Sequence, residues 1–518
     1  MSEADLAIPD VDVTSFVLER AGEHGEKPAL IDGPSGRAIT YAELGERIAA
    51  MRGGLAARGF GRGDALAIYL PNLPEYAVAF HAAASAGGRA TTANPLYTAG
   101  ELGHQLHDSG ARFLVTVPPL LDTALAAAEQ AEVEEVFVVG EDERATPLAE
   151  LLAADPAPVA AIDPASDLAV LPYSSGTTGL PKGVMLSHRN LVANLIQAGE
   201  VLGVNGEDAM VGCLPFFHIY GMTVIMNLGL RNGATIVTMP RFDLAEFLEL
   251  IERHGVTVGF VVPPIALALA KHPAIDGADL SSLRFLMSGA APLGPELTEA
   301  VEARLGCMVA QGYGMTETSP VTHTIPIDPG RNRPGTVGPP LRATECRLVD
   351  PESGEDAAPG ERGEVWVRGP QVMQGYLNNE EATAATIDPD GWLHTGDIGV
   401  VDEAGYYSIV DRLKELIKYK GFQVPPAELE ALLLTHPAVA DAAVVGVPDE
   451  EAGELPKAFV VVAEGEELDH DELMGWVGER VAPQKRIRLV EEIEAVPKSA
   501  SGKILRRELT ATRGAQSR

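Results

Sequence analysis

The segment Tyr173-Ser174-Ser175-Gly176-Thr177-Thr178-Gly179-Leu180-Pro181-Lys182-Gly183 concentrates hydroxyls, glycines and one lysine in a short stretch. Glycines let a backbone approach an anion closely and turn its N–H groups toward it. Ser174, Ser175, Thr177 and Thr178 add hydroxyl donors, and Lys182 adds a mobile positive charge. The segment follows an apolar run, Leu168–Leu171, that reads as a strand. It is not the common Gly-Lys-Ser/Thr phosphate loop, because Lys182 precedes Gly183 and Val184. A flexible polar turn would need neither this length nor this composition. The segment reads as a phosphate cradle of another kind.

Further groupings lie downstream: Gln311-Gly312-Tyr313-Gly314-Met315-Thr316-Glu317, Gly391-Trp392-Leu393-His394-Thr395-Gly396-Asp397, Asp411-Arg412-Leu413-Lys414 and Ser501-Gly502-Lys503. Taken singly, a glutamate in a turn is merely solvated and a lysine near the tail is an ordinary exposed residue. In this order, and together with the cradle, they resemble the signature of the acyl- and aryl-CoA synthetase, luciferase and peptide-synthetase adenylation superfamily. The resemblance covers essentially the whole chain. The segment Lys420-Gly421-Phe422-Gln423-Val424-Pro425-Pro426-Ala427-Glu428-Leu429-Glu430 is similar to the 4-coumarate–CoA ligase branch in particular.

The resemblance implies an acid–thiol ligase that uses ATP, CoA and Mg²⁺. A carboxylate is joined to the α-phosphorus of ATP with loss of pyrophosphate, and the acyl group then passes to CoA. Two anions must meet in the first step, so positive charge and aligned dipoles are the main catalytic need. The cradle (Ser174, Ser175, Gly176, Thr177, Thr178, Lys182) would hold the terminal phosphates. Ala290, Gln311, Gly312, Tyr313 and Thr316 would surround the nucleotide, with Glu317 on the metal. Asp397 would accept both ribose hydroxyls, Arg412 would contact ribose and phosphate, and Lys503 would bridge carboxylate and α-phosphate. Lys418 would serve the thioester step, and Arg241, Lys420 and Gly421 would contact CoA. Running both steps in one site would need a large rotation about 411–414, a recognised form of gating.

Pro215-Phe216-Phe217-His218-Ile219-Tyr220-Gly221 resembles the segment lining the acyl pocket of the 4-coumarate ligases. It implies acyl contacts from Tyr220 and Gly221, joined by Lys414 and Gln423, with His218 facing the reacting carboxylate. Ser288-Gly289-Ala290-Ala291-Pro292 would form a floor of small residues under a flat ring. Met287 stands where the plant enzymes often carry lysine, and Thr322 where a bulkier apolar residue is common. Cinnamate, hydroxycinnamates and medium-chain fatty acids all remain open as substrates.

Positioning these groups falls to strands alternating with helices. Ala65–Leu70, Phe113–Val117, Val136–Val139, Thr235–Met239, Thr257–Val262 and Leu283–Met287 read as strands. Leu244, Phe247, Leu248 and Ile251 fall on one helical face behind a start signal at Asp243 and Glu246. This alternation predicts an α/β fold with largely parallel sheets, whose ligands bind at the carboxyl ends of the strands. From about Val337 shorter, Gly-punctuated strands predict a barrel-like subdomain. The chain divides into residues 1–410, carrying the cradle and acyl pocket, and a small mobile α+β domain, 411–518.

At 518 residues the chain exceeds what one core fills. Its 39 basic against 74 acidic residues give a net charge of −35, which disfavours nucleic acid and anionic membranes as partners. The stretch 485–518 is locally basic, with nine basic residues against four acidic. Three scattered cysteines without a redox or zinc spacing favour a reduced setting. Met1–Thr14 lacks a basic-then-apolar signal, Ala515-Gln516-Ser517-Arg518 is not a peroxisomal address, and no apolar run is long enough to span a membrane. A cytoplasmic enzyme of small molecules is expected. A luciferase-type oxygenase, a carrier-protein-loading ligase and an inactive nucleotide-binding scaffold are the alternatives. The scaffold fits poorly with Lys182, Glu317, Asp397, Arg412 and Lys503 all present.

Overall fold

Two eight-stranded sheets dominate the computed structural model, which describes residues 6–174, 181–358, 360–449, 451–499 and 502–511. In the first, Leu168–Ser174, Arg89–Thr92, Ala65–Ile68, Ala111–Thr116, Glu135–Val138 and Thr146–Pro147 run parallel. Lys182–Ser187 and Gly375–Tyr376 extend it antiparallel beyond the cradle strand. In the second, the parallel core is Met308–Gly314, Phe285–Ser288, Val258–Val261, Ala209–Gly212, Thr235–Thr238 and Pro28–Asp32. Every position of Ala65–Ile68, Val258–Val261 and Phe285–Ser288 is buried, as expected where helices cover both faces of a parallel sheet. The strands expected from the apolar runs all form, within a residue or three of their expected ends.

The expected amphipathic helix forms at Leu244–His254. Asp243 accepts the Glu246 N–H at 3.0 Å as its N-cap, and Gly255 at φ +56° ends it in a left-handed turn. Phe247, Leu248 and Ile251 are buried on the face the spacing indicates. Asp243→Ala would remove the cap, a loss of about 1 kcal/mol.

A third, antiparallel sheet (Glu345–Val349, Gly363–Arg368, Leu393–Val401, Tyr407–Arg412) follows where the texture of the sequence changes. Its last strand carries Asp411 and Arg412, paired with Ile398 and Asp397. Beyond it the chain builds a separate core. Ile417–Tyr419, Phe422–Val424, Val439–Asp449, Gly453–Val462 and Leu489–Glu492 form a sheet covered by helices Pro426–Leu433 and His470–Gly478. Ile417, Leu429, Leu433, Val444, Val460 and Leu473 pack between them, apart from the cores of the larger unit. Specific contacts join the units. The Lys271 ammonium donates to the carbonyls of Leu434 (2.9 Å) and Val439 (3.3 Å), and the Gly502 backbone lies against Val262 and Pro264.

Candidate active site

The carboxyl ends of both parallel sheets open on one cavity of about 1630 Å³, whose opposite wall is made by the small unit. Ser174 reaches it from the end of the cradle strand, and Glu317 from a single 3₁₀ turn, Thr316–Thr318, that follows Met308–Gly314. The Ser174 hydroxyl donates to Glu317 Oε1 at 3.0 Å, and the Tyr376 hydroxyl donates to the same oxygen at 2.9 Å. The Lys182 ammonium stands 4.4 Å from the centroid of the Tyr376 ring, a cation–π contact. Burial and the neighbouring Glu317 push the Tyr376 phenol above its ordinary range, so it remains a donor. Glu317 is thereby fixed beside the cradle with its carboxylate oriented. Ser175, Gly176, Thr177 and Thr178 lie outside the described residues.

Across the cavity, antiparallel register sets Asp397 beside Arg412. Asp397 is buried, accepts the Tyr313 hydroxyl at 2.6 Å and forms an ion pair with Arg412 Nε at 3.2 Å. Burial raises its pKa, against the opposing pull of Arg412 and the Tyr313 hydroxyl. For Arg412, burial works against the charge, but Asp397 and Glu415 outweigh it and hold the pKa above its usual value. An oriented carboxylate in low dielectric is a strong acceptor for hydroxyl groups.

The floor between these groups is held by backbone geometry. Gln311 accepts the Leu293 N–H (2.8 Å) and donates to the Leu293 carbonyl (2.9 Å), which pins the loop after Phe285–Ser288. In that loop Ala290 adopts a left-handed φ of +69°, strain of the kind functional loops hold. Gly312 and Thr316 also line the cavity. At Gly314 a Cβ would lie 1.9 Å from the Pro320 carbonyl oxygen, so no other residue fits.

His218 faces the cavity from the loop after Ala209–Gly212. Its Nδ1 accepts the Tyr220 N–H at 3.3 Å, which leaves the proton of the neutral ring on Nε2. Burial, reinforced by the Lys503 charge, lowers its pKa to about 3, so the ring is neutral at physiological pH. Behind it the Tyr220 hydroxyl donates to the Met287 carbonyl at 3.0 Å. A Cβ on Gly289 would lie 3.0 Å from the Tyr220 ring, and one on Gly221 would lie 2.3 Å from the Pro215 carbonyl oxygen. Small residues here preserve space and close approach.

Lys503 enters from the small unit. Its carbonyl accepts the Ser499 N–H (2.8 Å), its own N–H donates to Ser499 Oγ (3.1 Å), and Gly502 adopts φ +80° between them. Burial and Arg412 lower the lysine's pKa, while Asp397 and Glu317 pull it back up. Residues from positions 174, 218, 317, 397, 412 and 503 thus share one cleft, with Lys414 on its rim.

Other expected site residues stand elsewhere. Lys418, Lys420, Gly421 and Gln423 sit on the hairpin of Ile417–Tyr419 and Phe422–Val424, off the cavity wall. Its two-residue turn places Lys420 at φ +48° and Gly421 at φ +83°, and the Lys420 ammonium pairs with Glu451 at 2.9 Å. Arg241 is exposed just past Thr235–Thr238 and also off the wall. The Thr322 hydroxyl donates to the Tyr313 carbonyl at 3.1 Å, within the strand pairing. Sequence reasoning missed Tyr376, which orients Glu317, and the Asp108–Tyr173 bond (2.6 Å) that anchors the start of the cradle. No local spacing joins either pair; only the Gly375-Tyr376 strand beside Lys182–Ser187 brings Tyr376 in.

This arrangement defines a nucleotide-binding α/β protein whose second, smaller unit completes the site. Comparison with known proteins carries that further. Residues 17–377 match the family of AMP-binding enzymes and residues 428–503 match the AMP-binding enzyme C-terminal domain; the chain belongs to this family. It is 46% identical to 4-coumarate–CoA ligase 5 of Oryza sativa subsp. japonica, over 98% of this chain and 96% of that one. It is 44% identical to 4-coumarate–CoA ligase 2 of Petroselinum crispum, over 98% and 95%. Among solved structures, an anthranilate CoA ligase in complex with anthranoyl-AMP superposes with a TM-score of 0.92 at 27% identity, covering 99% of both chains. A benzoate CoA ligase from Burkholderia xenovorans superposes with a TM-score of 0.88 at 28% identity, over 96% and 99%.

Proposed function

We propose that this chain is an acid–CoA ligase that acts on a flat aryl acid of the cinnamate type through an acyl-adenylate. The observation that carries the reading is the convergence of Glu317, Asp397, Arg412 and Lys503 on one cleft beside the cradle. A carboxylate oxygen of the acid attacks the α-phosphorus and pyrophosphate departs. Lys503 bridges the two anions as they meet, and Asp397 takes the ribose hydroxyls. His218, neutral with its proton on Nε2, donates to the acid without adding charge.

No cluster of three His, Cys, Asp or Glu able to hold an ion alone occurs among the described residues. Glu317 by the cradle instead suits Mg²⁺, which keeps waters and phosphate oxygens around it and needs few protein ligands. Bound there, Mg²⁺ would neutralise charge on the departing pyrophosphate.

In the second step the CoA thiolate attacks the acyl carbonyl and AMP leaves. Lys503 has no task then. The position of Lys418, Lys420, Gly421 and Gln423 outside the cleft supports a rotation of the unit 411–518 about 411–414 that exchanges one face for the other. Arg241, exposed just past Thr235–Thr238, would meet the CoA nucleotide. The free thiols Cys213, Cys307 and Cys346 support a reduced, cytoplasmic setting, and no helix among the described residues is long and apolar enough to cross a membrane.

For the acid, Met287 offers no charge to a ring hydroxyl, and the Tyr220 hydroxyl already serves the Met287 carbonyl. Cinnamate should therefore be used at least as well as 4-coumarate, with an advantage below about 10²-fold. Measuring kcat/KM for cinnamate, 4-coumarate, caffeate and octanoate by AMP release with and without CoA tests this. Best turnover of octanoate would make the chain a fatty acyl-CoA synthetase.

A further inference from the structure

Between Lys503 and the body of the small unit lies a charged cluster that the reaction does not use, with Glu430 and Asp411 buried and Arg506 and Glu415 partly buried. Arg506, three residues past Lys503, opens the helix Arg506–Ala511. Its Nη2 donates to both oxygens of Glu430 at 2.8 Å, and its Nη1 lies 3.0 Å from Glu415. Nε donates to the Val444 carbonyl at 3.3 Å. Glu430 is buried and also accepts the Val444 N–H at 2.8 Å. Asp411 stands beside them, its oxygens accepting the Arg412 and Ala427 N–H groups at 2.7 and 2.9 Å. Glu415 is three residues beyond Arg412, and Glu430 lies on helix Pro426–Leu433. One guanidinium thus ties the tail both to that helix and to the segment leaving the nucleotide site.

We propose that Arg506 is a positioning residue for Lys503: clamped between Glu430 and Glu415, it fixes the tail so that the Lys503 ammonium stands in the adenylate-forming cleft. The proposal rests on the reading that Lys503 serves adenylation. A buried ion cluster is a poor source of stability, because desolvation offsets attraction and apolar residues of similar size do as well. What a bidentate guanidinium supplies that an apolar contact does not is direction. Direction is what this tail needs. Lys503 sits on a tight turn around Gly502, bounded upstream by the Lys498–Asp441 pair at 2.5 Å and downstream by Arg506. A side chain displaced by about 1 Å loses on the order of 10²-fold in rate. Burial also raises Glu430 to about 7, with Arg506 and the Val444 N–H opposing and Asp411 and Glu415 adding to the rise. Removing the guanidinium would leave three carboxylates facing each other, and the tail would lose its register.

The test compares Arg506→Ala, Arg506→Lys, Glu415→Gln and Lys503→Ala in the full chain, in each half-reaction separately. Acid-dependent pyrophosphate exchange into ATP reads adenylation; thioester formation from supplied acyl-adenylate and CoA reads the second step. Arg506→Ala should slow adenylation by about 10²-fold, through kcat more than the KM for ATP, and leave the second step nearly intact. Arg506→Lys, which keeps charge but not the fork, should fall between it and the parent. Equal loss of both steps, or no loss of adenylation, overturns the proposal. Should Arg506→Ala not fold, Glu415→Gln decides: a selective few-fold loss of adenylation supports the clamp, and an unselective or absent loss overturns it. If Lys503→Ala adenylates normally, it is the role of Lys503 that fails, whichever way the Arg506 variants behave.

Discussion

The two walls of the cleft hold their polar groups in different ways. On the large wall each functional side chain is fixed locally, by its strand end or by a hydrogen bond or ion pair from a neighbouring strand: Tyr313 and Arg412 on Asp397, Ser174 and Tyr376 on Glu317, Gln311 on Leu293. Arg412, at the start of the small unit, and Lys503 complete that wall. The small wall carries lysines on two surfaces, one in the cleft and one on the Ile417–Val424 hairpin. The buried ionisable groups differ too. In the large unit histidines are held neutral by burial, His81 and His188 at about 4 and His218 and His323 at about 3, alongside the buried carboxylate Asp397, whose pKa burial raises. Around the tail they are carboxylates raised by burial, Glu430 to about 7 and Asp411 to about 6. The contrast teaches that the large wall is a preorganised template, which fits the proposed role of the small unit as the part that moves between steps.

The sharpest way to break the comparison is Lys418→Ala. Loss of one transition-state charge contact should slow thioester formation by about 10²–10³-fold and spare adenylation; single-turnover assays of each step check it. Asp397→Asn should weaken ATP use by roughly 10–100-fold, the scale of a charge-assisted hydrogen bond, seen mainly as a raised KM for ATP.

A third test concerns pH. Glu430 and Asp411 bind protons more tightly folded than unfolded, so their contribution is complete below the ordinary carboxylate range and is lost as pH rises through about 6 to 7. The histidines act oppositely: their burial contributes above pH 6.5 and is lost as pH falls toward 4. Stability should therefore peak at mildly acidic to neutral pH. Glu430→Gln should flatten the alkaline limb by up to about 3 kcal/mol, measured as the slope of Tm between pH 5 and 8. The smallest effect is expected from Met287→Lys, which should move the 4-coumarate to cinnamate ratio of kcat/KM upward by less than about 10²-fold.

Much of the large wall is legible in the sequence because its chemistry sits at strand ends. The run Leu168–Leu171 announces a strand, and the cradle follows it; likewise Asp243 and Glu246 start a helix by local rules. Asp411 and Arg412 read as the start of the small unit because a polar segment after a strand looks like a hinge, yet both still pair in the third sheet. Contacts set by distant pairing were not legible. Tyr376 meets Glu317 across 59 positions and Arg506 meets Glu430 across 76, and neither periodicity nor spacing connects them. Placement of the hairpin lysines away from the cleft also depends on how one rigid unit docks on another, which no local pattern encodes.

The central claim is that the acid is activated on the nucleotide before CoA takes part. Incubating the protein with ATP, Mg²⁺, cinnamate and labelled pyrophosphate, without CoA, tests it most directly. Label should enter ATP in an acid-dependent way, with AMP accumulating once CoA is added. Formation of ADP and phosphate, or no exchange with any acid of the panel that supports AMP release with CoA, would contradict it.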